Sequence, residues 1–267
     1  MRLHLLALLL VSVLLANLQT VKAQKVVLHM TGRQTFECNI SQLDSITFVD
    51  AEKHEWVDLG LPSGTLWATC NIGANSPEKS GDYFAWGETS PKKSYYWNTY
   101  KHCTGSYNTM TKYCTKSDYG YKAFTDNLTE LMQEDDAATT YLGNKWQIPS
   151  QNDYKELINS DYTMTEWTTK EGVNGCKITS KINNNSIFLP AADYRQGTSI
   201  SYANYRGYYW TRTLSSLFDD SAYYLYFFSD YYSDNINTGK IGVGTMDRPH
   251  GLNIRPVRVK TYEKPML

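Results

Sequence analysis

The second half of the chain restricts the fold most, because short strand-like runs replace any helical periodicity there. After residue 160, apolar and aromatic residues fall in short segments separated by glycine-containing or polar stretches. This pattern is typical of β-strands joined by turns and loops. The predicted strands are 175–180, 186–190, 207–211, 222–228 and 252–259. The predicted loops are 191–206, 212–221 and 229–251, and loops this long in a compact domain are usually functional or disordered.

Helices are predicted at only two places. Residues 134–142 have acidic residues in the first turn and Gly143 just past the end, which suit the helix dipole and a left-handed C-cap. Residues 150–159 begin with Ser150 and Asp153 in capping-box spacing. Two earlier strands are predicted at 65–69 and in the aromatic run 81–87. These elements predict an α+β domain over residues 55–259, with two helices and several short antiparallel strands, followed by a tail at 260–267.

The first 23 residues are predicted to be a cleavable signal peptide. The apolar run 5–15 is too short for a permanent membrane span, which needs about 20 residues, so an uncleaved anchor is disfavoured. Val21 and Ala23 occupy the −3 and −1 positions of a small-residue cleavage site. The mature chain is therefore expected to be secreted or held at the cell surface, with no membrane span of its own.

Residues 24–54 are predicted to form a small β element and a linker. Strand-like runs at 25–30 and 45–49 flank a turn signal at residues 31–33. A segment of this size cannot bury a core of its own. We therefore expect it to pack against the domain that follows.

Charge and ligand motifs exclude several kinds of partner. Without Arg2 and Lys22 of the signal peptide, 24 basic and 27 acidic residues remain, a formal charge of −3. This balance offers no basic patch for nucleic acid or an anionic membrane. No CxxC or Cys/His zinc spacing and no calcium-binding DxDxDG loop occurs. No metal and no cofactor are predicted.

The five cysteines of an exported chain can oxidise, and their odd number leaves at least one outside any intrachain pair. Cys103 and Cys114 are the best candidates for a disulfide, because Gly105, Ser106 and Asn108 between them favour a turn. Closing this loop would stabilise the fold by about 3 kcal/mol.

Several motifs, in the same order along residues 55–259, resemble exported Bacteroidetes proteins that carry the Fibrobacter succinogenes major paralogous domain. The matching runs are WVDLGLPSGTLWATCNIGA at 56–74, GDYFAWGET at 81–89, EDDAA at 134–138, WQIPS at 146–150, GYYWT at 207–211, YYLYF at 223–227 and GLNIRPV at 251–257. The resemblance implies a C-type-lectin-like fold shared with formylglycine-generating enzymes. Those enzymes use a cysteine pair late in the chain. Here no cysteine follows Cys176, so the resemblance does not imply their catalytic activity for this chain.

Tyrosines concentrate in the C-terminal part of the chain. Ten of the 22 lie between residues 194 and 232, mixed with Asn, Ser, Asp and Gly, a composition that antibody paratopes use for contact. The competing interpretation is that many of these rings are core, and strand alternation assigns the faces with Trp210 and with Leu225 and Phe227 to it. We predict an extracellular binding module that recognises a glycan or a host or bacterial surface protein through tyrosine-rich loops. The candidate ligand-binding residues are Tyr202, Asn204, Tyr205, Arg206, Tyr209, Tyr224, Tyr231, Tyr232, Asp234 and Asn235.

The alternative is an exported enzyme with an unrecognised active site. The acid pairs 135–136 and 219–220 could serve a glycosidase only if two carboxyls faced each other across a cleft. Adjacent acids are more often solvated or capping groups. The histidines of the mature chain lie in no local catalytic motif. No catalytic residue is predicted.

Overall fold

A computed structural model describes residues 25–29, 35–39, 55–200, 203–229 and 241–259. The chain divides into two compact units, Met1–Asp50 and Ala51–Leu267. The predicted signal peptide, the predicted strand 45–49, the linker 51–54 and the tail 260–267 lie outside the described residues.

In the first unit, the described residues form an antiparallel hairpin of β1 (Lys25–His29) and β2 (Thr35–Asn39), with Val27 opposite Glu37. The first strand was predicted, whereas its partner was expected at 45–49. Pairing with the nearer segment closes a shorter loop and therefore costs less chain entropy.

In the second unit, the described residues form three three-stranded antiparallel sheets and one two-stranded hairpin. These strands have two to nine residues. The strands are β3 (Trp56–Asp58), β4 (Thr65–Ala68), β5 (Thr163–Lys170), β6 (Val173–Ser180), β7 (Ser186–Pro190), β8 (Arg195–Gln196), β9 (Ser199–Ile200), β10 (Arg206–Leu214), β11 (Ser221–Phe228), β12 (Ile241–Asp247) and β13 (Val257–Val259). The strand orders are β13-β4-β3, β5-β6-β7 and β10-β11-β12, and β8 and β9 form the hairpin. Strand β4 thus pairs with its neighbour β3 and with β13, the last strand of the described chain.

Two short α-helices, α1 (Ala137–Leu142) and α2 (Gln151–Leu157), have the caps that their sequences predict. Gly143 ends α1 with φ 85°, and Ser150 and Asp153 form a reciprocal capping box at the start of α2. Among the described residues, no helix is long and apolar enough to cross a membrane. Single turns of 3₁₀ helix lie at Trp97–Thr99, Ser117–Tyr119, Tyr121–Ala123 and Gln133–Asp135.

The α+β class predicted from the sequence is wrong, because the described chain is mostly β. The two α-helices have only six and seven residues. The helix expected at 134–142 begins at Ala137, because Asp136 adopts an extended N-cap conformation that separates it from the 3₁₀ turn before it. Helices this short depend on tertiary packing for their stability.

Several strand assignments also differ from the prediction, and β8 and β9 lie in the stretch 191–206 that was predicted to be a loop. The aromatic run 81–87 is not a strand, since it makes only an isolated bridge between Phe84 and Leu252. Strand β12 lies in the stretch 229–251 that was predicted to be a loop. Gly242 and Gly244 lie in this strand. Because glycine has a low strand propensity, the sequence pattern does not predict a strand there. Strand β5 was not predicted.

The sheet of β10 to β12 packs against hydrophobic residues on both faces. Trp210 lies on one face in a cluster with Phe84, Trp86 and Trp146. On the opposite face, residues of β10 and β11 join a second cluster, whose members include Trp67, Tyr154, Tyr209, Leu225 and Phe227. The assignment of Trp210, Leu225 and Phe227 to the core is therefore confirmed.

Two arginines, Arg248 and Arg255, are completely buried. The Arg255 guanidinium donates to Asn71 Oδ1 at 2.8 Å and to three backbone carbonyls, those of Ala68, Thr69 and Phe188. Its bonds tie β4 and the turn after it to β7.

Arg248 makes a similar set of hydrogen bonds, seven residues before Arg255. Its guanidinium donates to Tyr100 Oη at 2.9 Å and to the carbonyls of Lys112, Tyr113 and Asp219. It also stacks over the Trp86 ring at 5.0 Å. Loops far apart in sequence are thus fixed to one side chain.

Replacing Trp210 by alanine is expected to lower the free energy of unfolding by about 3–5 kcal/mol. The indole is fully buried, and its Nε1 donates to Phe84 O at 2.8 Å. Urea unfolding measures the loss. Tyr107→Ala, which removes an exposed ring, serves as the control and should change stability little, and equal losses for the two variants would contradict this assignment.

Candidate functional site

The register of β10 and β11 decides which aromatic residues share a surface. Tyr208 pairs with Tyr226 and Trp210 with Tyr224. Residues directly opposite in an antiparallel pair project from the same face, and side chains alternate along each strand. One face therefore carries a row of rings, which we call the aromatic face: Tyr208, Tyr224, Tyr226 and Phe228.

The rings of the aromatic face contact one another in a continuous row. The centroid of Tyr224 lies 5.4 Å from that of Tyr208 and 6.0 Å from that of Tyr226. Tyr226 stacks on Phe228 at 5.1 Å. Tyr208 is buried, whereas the other three rings are half-buried. The row is therefore anchored on the core and partly open to solvent.

Glycines on β12 make room for two of these rings. Gly242 pairs with Tyr226 and Gly244 with Tyr224. A Cβ added at Gly242 would lie 2.5 Å from Tyr226 Oη, too close for any real contact. Tyr226 therefore lies directly across the backbone of β12, an arrangement that only glycine permits.

Polar groups border the aromatic face. Tyr194 meets Tyr208 edge to face at 5.1 Å, and His250 meets Tyr194 in the same way at 5.4 Å. The Arg206 guanidinium lies 5.9 Å from the centroid of the Phe228 ring. The surface thus combines apolar rings with hydroxyl, imidazole and guanidinium groups.

Burial shifts the pKa of the tyrosines and of His250 in the direction that favours their uncharged forms. It raises the pKa of Tyr208 to about 12, although the charge of Arg206 and its hydrogen bond oppose the shift. Burial likewise raises the pKa of Tyr224 and Tyr226 and lowers the pKa of His250. Arg206 therefore provides the positive charge beside an otherwise neutral surface.

Three predicted ligand residues, Asn204, Tyr205 and Arg206, lie where the chain enters β10. Asn204 is exposed with φ 74°, and Tyr205 is 44% exposed. Ser229 N donates to Tyr205 O at 3.0 Å. Residues 205 and 229, at the inner ends of the two predicted loops, are therefore neighbours in space. Five other predicted ligand residues lie outside the described residues: Tyr202, Tyr231, Tyr232, Asp234 and Asn235.

Tyr209 does not belong to a ligand surface, which corrects the prediction. It is 0% exposed and points to the face opposite the aromatic face. Its hydroxyl donates to Pro190 O at 2.8 Å, and its ring stacks on Phe227. The alternation of side chains along the strand correctly placed Tyr209 and Trp210 on opposite faces of the sheet. The sequence did not indicate that a second hydrophobic cluster covers the face with Tyr209. Tyr224, by contrast, is part of the aromatic face.

Sequence reasoning did not select Tyr226, Phe228, Tyr194 or His250. The first two share a strand face with Tyr224, so extending the period-2 pattern from Tyr224 would have found them. His250 and Tyr194 are brought together only by the tertiary fold, and no local pattern indicates their contact.

The predicted disulfide between Cys103 and Cys114 is absent, and both thiols are free. The chain turns back earlier than expected, because Cys103 bridges to Met110. Cys103 Sγ contacts Trp97 O at 3.2 Å, and Cys114 Sγ contacts Lys116 O at 3.3 Å. The two sulfurs therefore have separate partners.

The acid pairs serve the fold in this structure. Asp136 accepts from Thr139 N and Ile148 N, capping α1 and fixing the strand-like segment after it. Asp219 accepts from Thr115 N and Lys116 N at 2.5 and 2.6 Å. Asp136 is thus a helix cap, as the capping interpretation predicts, whereas Asp219 is buried and binds the backbone of a distant loop.

Asp135 lies at the centre of a buried polar cluster. Burial alone would raise its pKa, but hydrogen bonds from Lys101, Lys112 and Tyr113 outweigh burial and hold the pKa at about 2. His102 Nε2 lies 3.8 Å from the same carboxylate and 2.8 Å from Gly87 O. Across the described residues, no group of three or more His, Cys, Asp or Glu side chains could hold a metal ion.

No family model, curated protein or solved structure matches this chain.

The ring position of Tyr226 is expected to depend on Gly242. Gly242→Ala places a methyl group where the Tyr226 hydroxyl lies and should displace the ring, which NMR of ¹³C-labelled tyrosine rings detects. Gly244→Ala is the matched control, because its Cβ would lie 3.2 Å from the nearest Tyr224 atom and needs only a small adjustment. Unchanged Tyr226 signals in Gly242→Ala would show that the ring does not lie across this strand.

Stability is expected to fall as the pH drops from 6.5 to 4 because of His102. Burial lowers the pKa of His102 to about 4, below the unfolded value of about 6.5. Its contribution is thus fully present above pH 6.5 and is lost as the pH falls through this window, by about 3 kcal/mol in all. Asp135 does not affect this pH range, because its pKa of about 2 lies below it, and its contribution to stability is lost only at pH values under about 4.

Urea unfolding at pH 7.5 and 4.5 measures this effect. His102→Gln, whose amide can still donate to Gly87 O, should remove most of the difference between the two pH values. If the variant shows the same loss as the wild type, His102 is not the group responsible.

Proposed function

We propose that this protein is an extracellular binding module and that the aromatic face, extended by Tyr205, contacts its ligand. The observation that carries the proposal is the continuous row of rings at the sheet end from which both tyrosine-rich segments leave. The signal peptide predicted from the sequence and the resemblance to exported Bacteroidetes proteins support an extracellular location.

The chemistry of the aromatic face suits ligand binding. Tyrosine supplies a large, rigid contact area at low cost in side-chain entropy, and binding hot spots are rich in it. The rings already contact one another and the glycines of β12, so little ordering is required when a ligand arrives. Their hydroxyls remain protonated at neutral pH and can donate to or accept from a ligand.

A glycan is favoured over a protein as the ligand. A standard protein interface covers about 800 Å² on each partner, and four rings, three half-buried and one buried, supply only a small part of that area. Sugar rings present apolar C–H faces together with hydroxyl groups. A row of aromatic rings bordered by Tyr205, Arg206 and His250 complements both.

Removing a ring from the aromatic face should weaken glycan binding by about tenfold or more, as expected for an aromatic hot spot. A glycan array with residues 24–267 identifies the ligand, and calorimetry compares the wild type with Tyr226→Ala and Phe228→Ala. Tyr107→Ala, another exposed tyrosine away from this sheet, is the matched control.

Thermal unfolding establishes that the variants are folded. Full affinity in both folded variants would place the binding surface elsewhere. Binding only to a protein in a parallel array of surface proteins, with the same loss in the variants, would replace the glycan by a protein ligand.

A further inference from the structure

A second surface lies on the other side of the β8–β9 hairpin. It is an open cleft of about 460 Å³, within the size range of small-molecule sites. Aromatic rings line it together with groups of both charges. The lining residues that matter for its chemistry are Asp82, Tyr83, Lys93, Tyr95 and Arg195.

Arg195 is the main cation of the cleft. Its guanidinium lies over the Tyr83 ring at 4.9 Å. In the segments that the structure describes, no carboxylate forms an ion pair with this guanidinium, and no oxygen accepts a hydrogen bond from it. Its planar fork of donors is therefore available, and this fork matches the geometry of a carboxylate.

The backbone holds Arg195 in place without using its side chain. Arg195 N donates to Gly251 O at 2.7 Å, and Gly251 N returns a bond of 2.9 Å to Arg195 O. Beneath it, Tyr83 Oη donates to Ala192 O, and Tyr95 Oη donates to Tyr83 O. The guanidinium thus rests on a fixed ring, and little ordering is needed for it to bind an anion.

The other charged groups of the cleft differ in availability. Lys92 is engaged, because its Nζ pairs with Glu88 at 2.8 Å and donates to Thr99 O. Lys93 is exposed and forms no ion pair with any described carboxylate. The cleft therefore offers a second cation beside Arg195.

Asp82 supplies the acceptor. Its carboxylate packs on Gly73, where an added Cβ would lie 2.4 Å from Oδ2. It is half-buried and pairs with no described cation. A ligand that fits must bring a carboxylate for Arg195 and hydrogen-bond donors for Asp82.

We infer that the cleft binds a hexuronate, a sugar residue with a carboxylate at C6. The carboxylate pairs with Arg195 and Lys93, and ring hydroxyls donate to Asp82. An acidic peptide fits less well, because its side chains bring further negative charge and no hydroxyls to Asp82. The inference rests on the proposed function, since it names the glycan class that the same protein would recognise.

The test uses oligosaccharides ending in glucuronate or galacturonate, each compared by calorimetry with its carboxyl-reduced neutral form. For the wild type, at least one acidic form should bind about tenfold more tightly than its neutral form, the value expected for a charge-assisted pair. Arg195→Gln should remove this preference, and Arg195→Lys should retain part of it. Lys155→Gln, the same charge change at an exposed position of α2, should have no effect.

Tyr226→Ala separates this inference from the proposed function, because it should weaken the acidic and neutral forms by the same factor. If acidic and neutral forms bind equally and Arg195→Gln has no effect, while Tyr226→Ala weakens both, the hexuronate site is refuted and the proposed function stands. Binding of a hexaglutamate peptide through Arg195 in place of the hexuronates would refute the sugar assignment. Failure of every oligosaccharide in this set to bind the wild type would refute the hexuronate site alone, because the glycan and surface-protein arrays test the aromatic face separately.

Discussion

The fold depends on two buried guanidinium groups that donate to backbone carbonyls. Most of the described chain is irregular or in short strands, so many carbonyls have no partner within regular secondary structure. A buried carbonyl without a hydrogen bond is costly. Arg255 satisfies three carbonyls and Arg248 three more, in segments as far apart as residues 68 and 219. Burial lowers the pKa of Arg255, yet a guanidinium stays charged, which strengthens every bond it donates.

Both arginines belong to one segment, residues 248–255, and this segment positions both candidate surfaces. Leu252 bridges to Phe84, and Gly251 bridges to Arg195. Trp210 N donates to Asn253 O at 3.0 Å. Gly251 has to be small, because an added Cβ would lie 2.6 Å from the Tyr95 ring. The aromatic face and the cleft therefore rest on the same extended stretch, which the two arginines hold in the core.

The sequence predicted local features well and the tertiary ones poorly. Caps at Gly143 and Ser150 and the alternation of Tyr209 and Trp210 follow from local rules, and the structure has them. The buried arginines were not predicted, since Arg is rarely buried and its partners here are carbonyls distant in sequence. Of the aromatic face, the sequence predicts Tyr224 but not Tyr226, because Tyr226 lies across Gly242 in a glycine-containing segment whose composition predicts a loop. The disulfide failed because an earlier turn at Met110 separates the two cysteines.

The β8–β9 hairpin connects the two surfaces physically. Tyr194 contacts the aromatic face, whereas Arg195, the next residue, lies over Tyr83 in the cleft. Successive residues of an extended chain point to opposite sides, so Tyr194, just before the hairpin, and Arg195, its first residue, each supply a side chain to a different surface. Backbone bonds between Tyr95 and Gly197 fix its turn. A glycan chain long enough to cross the hairpin would contact rings on one side and the guanidinium on the other. The second contact would then form at high effective concentration, so two weak sites could give strong binding.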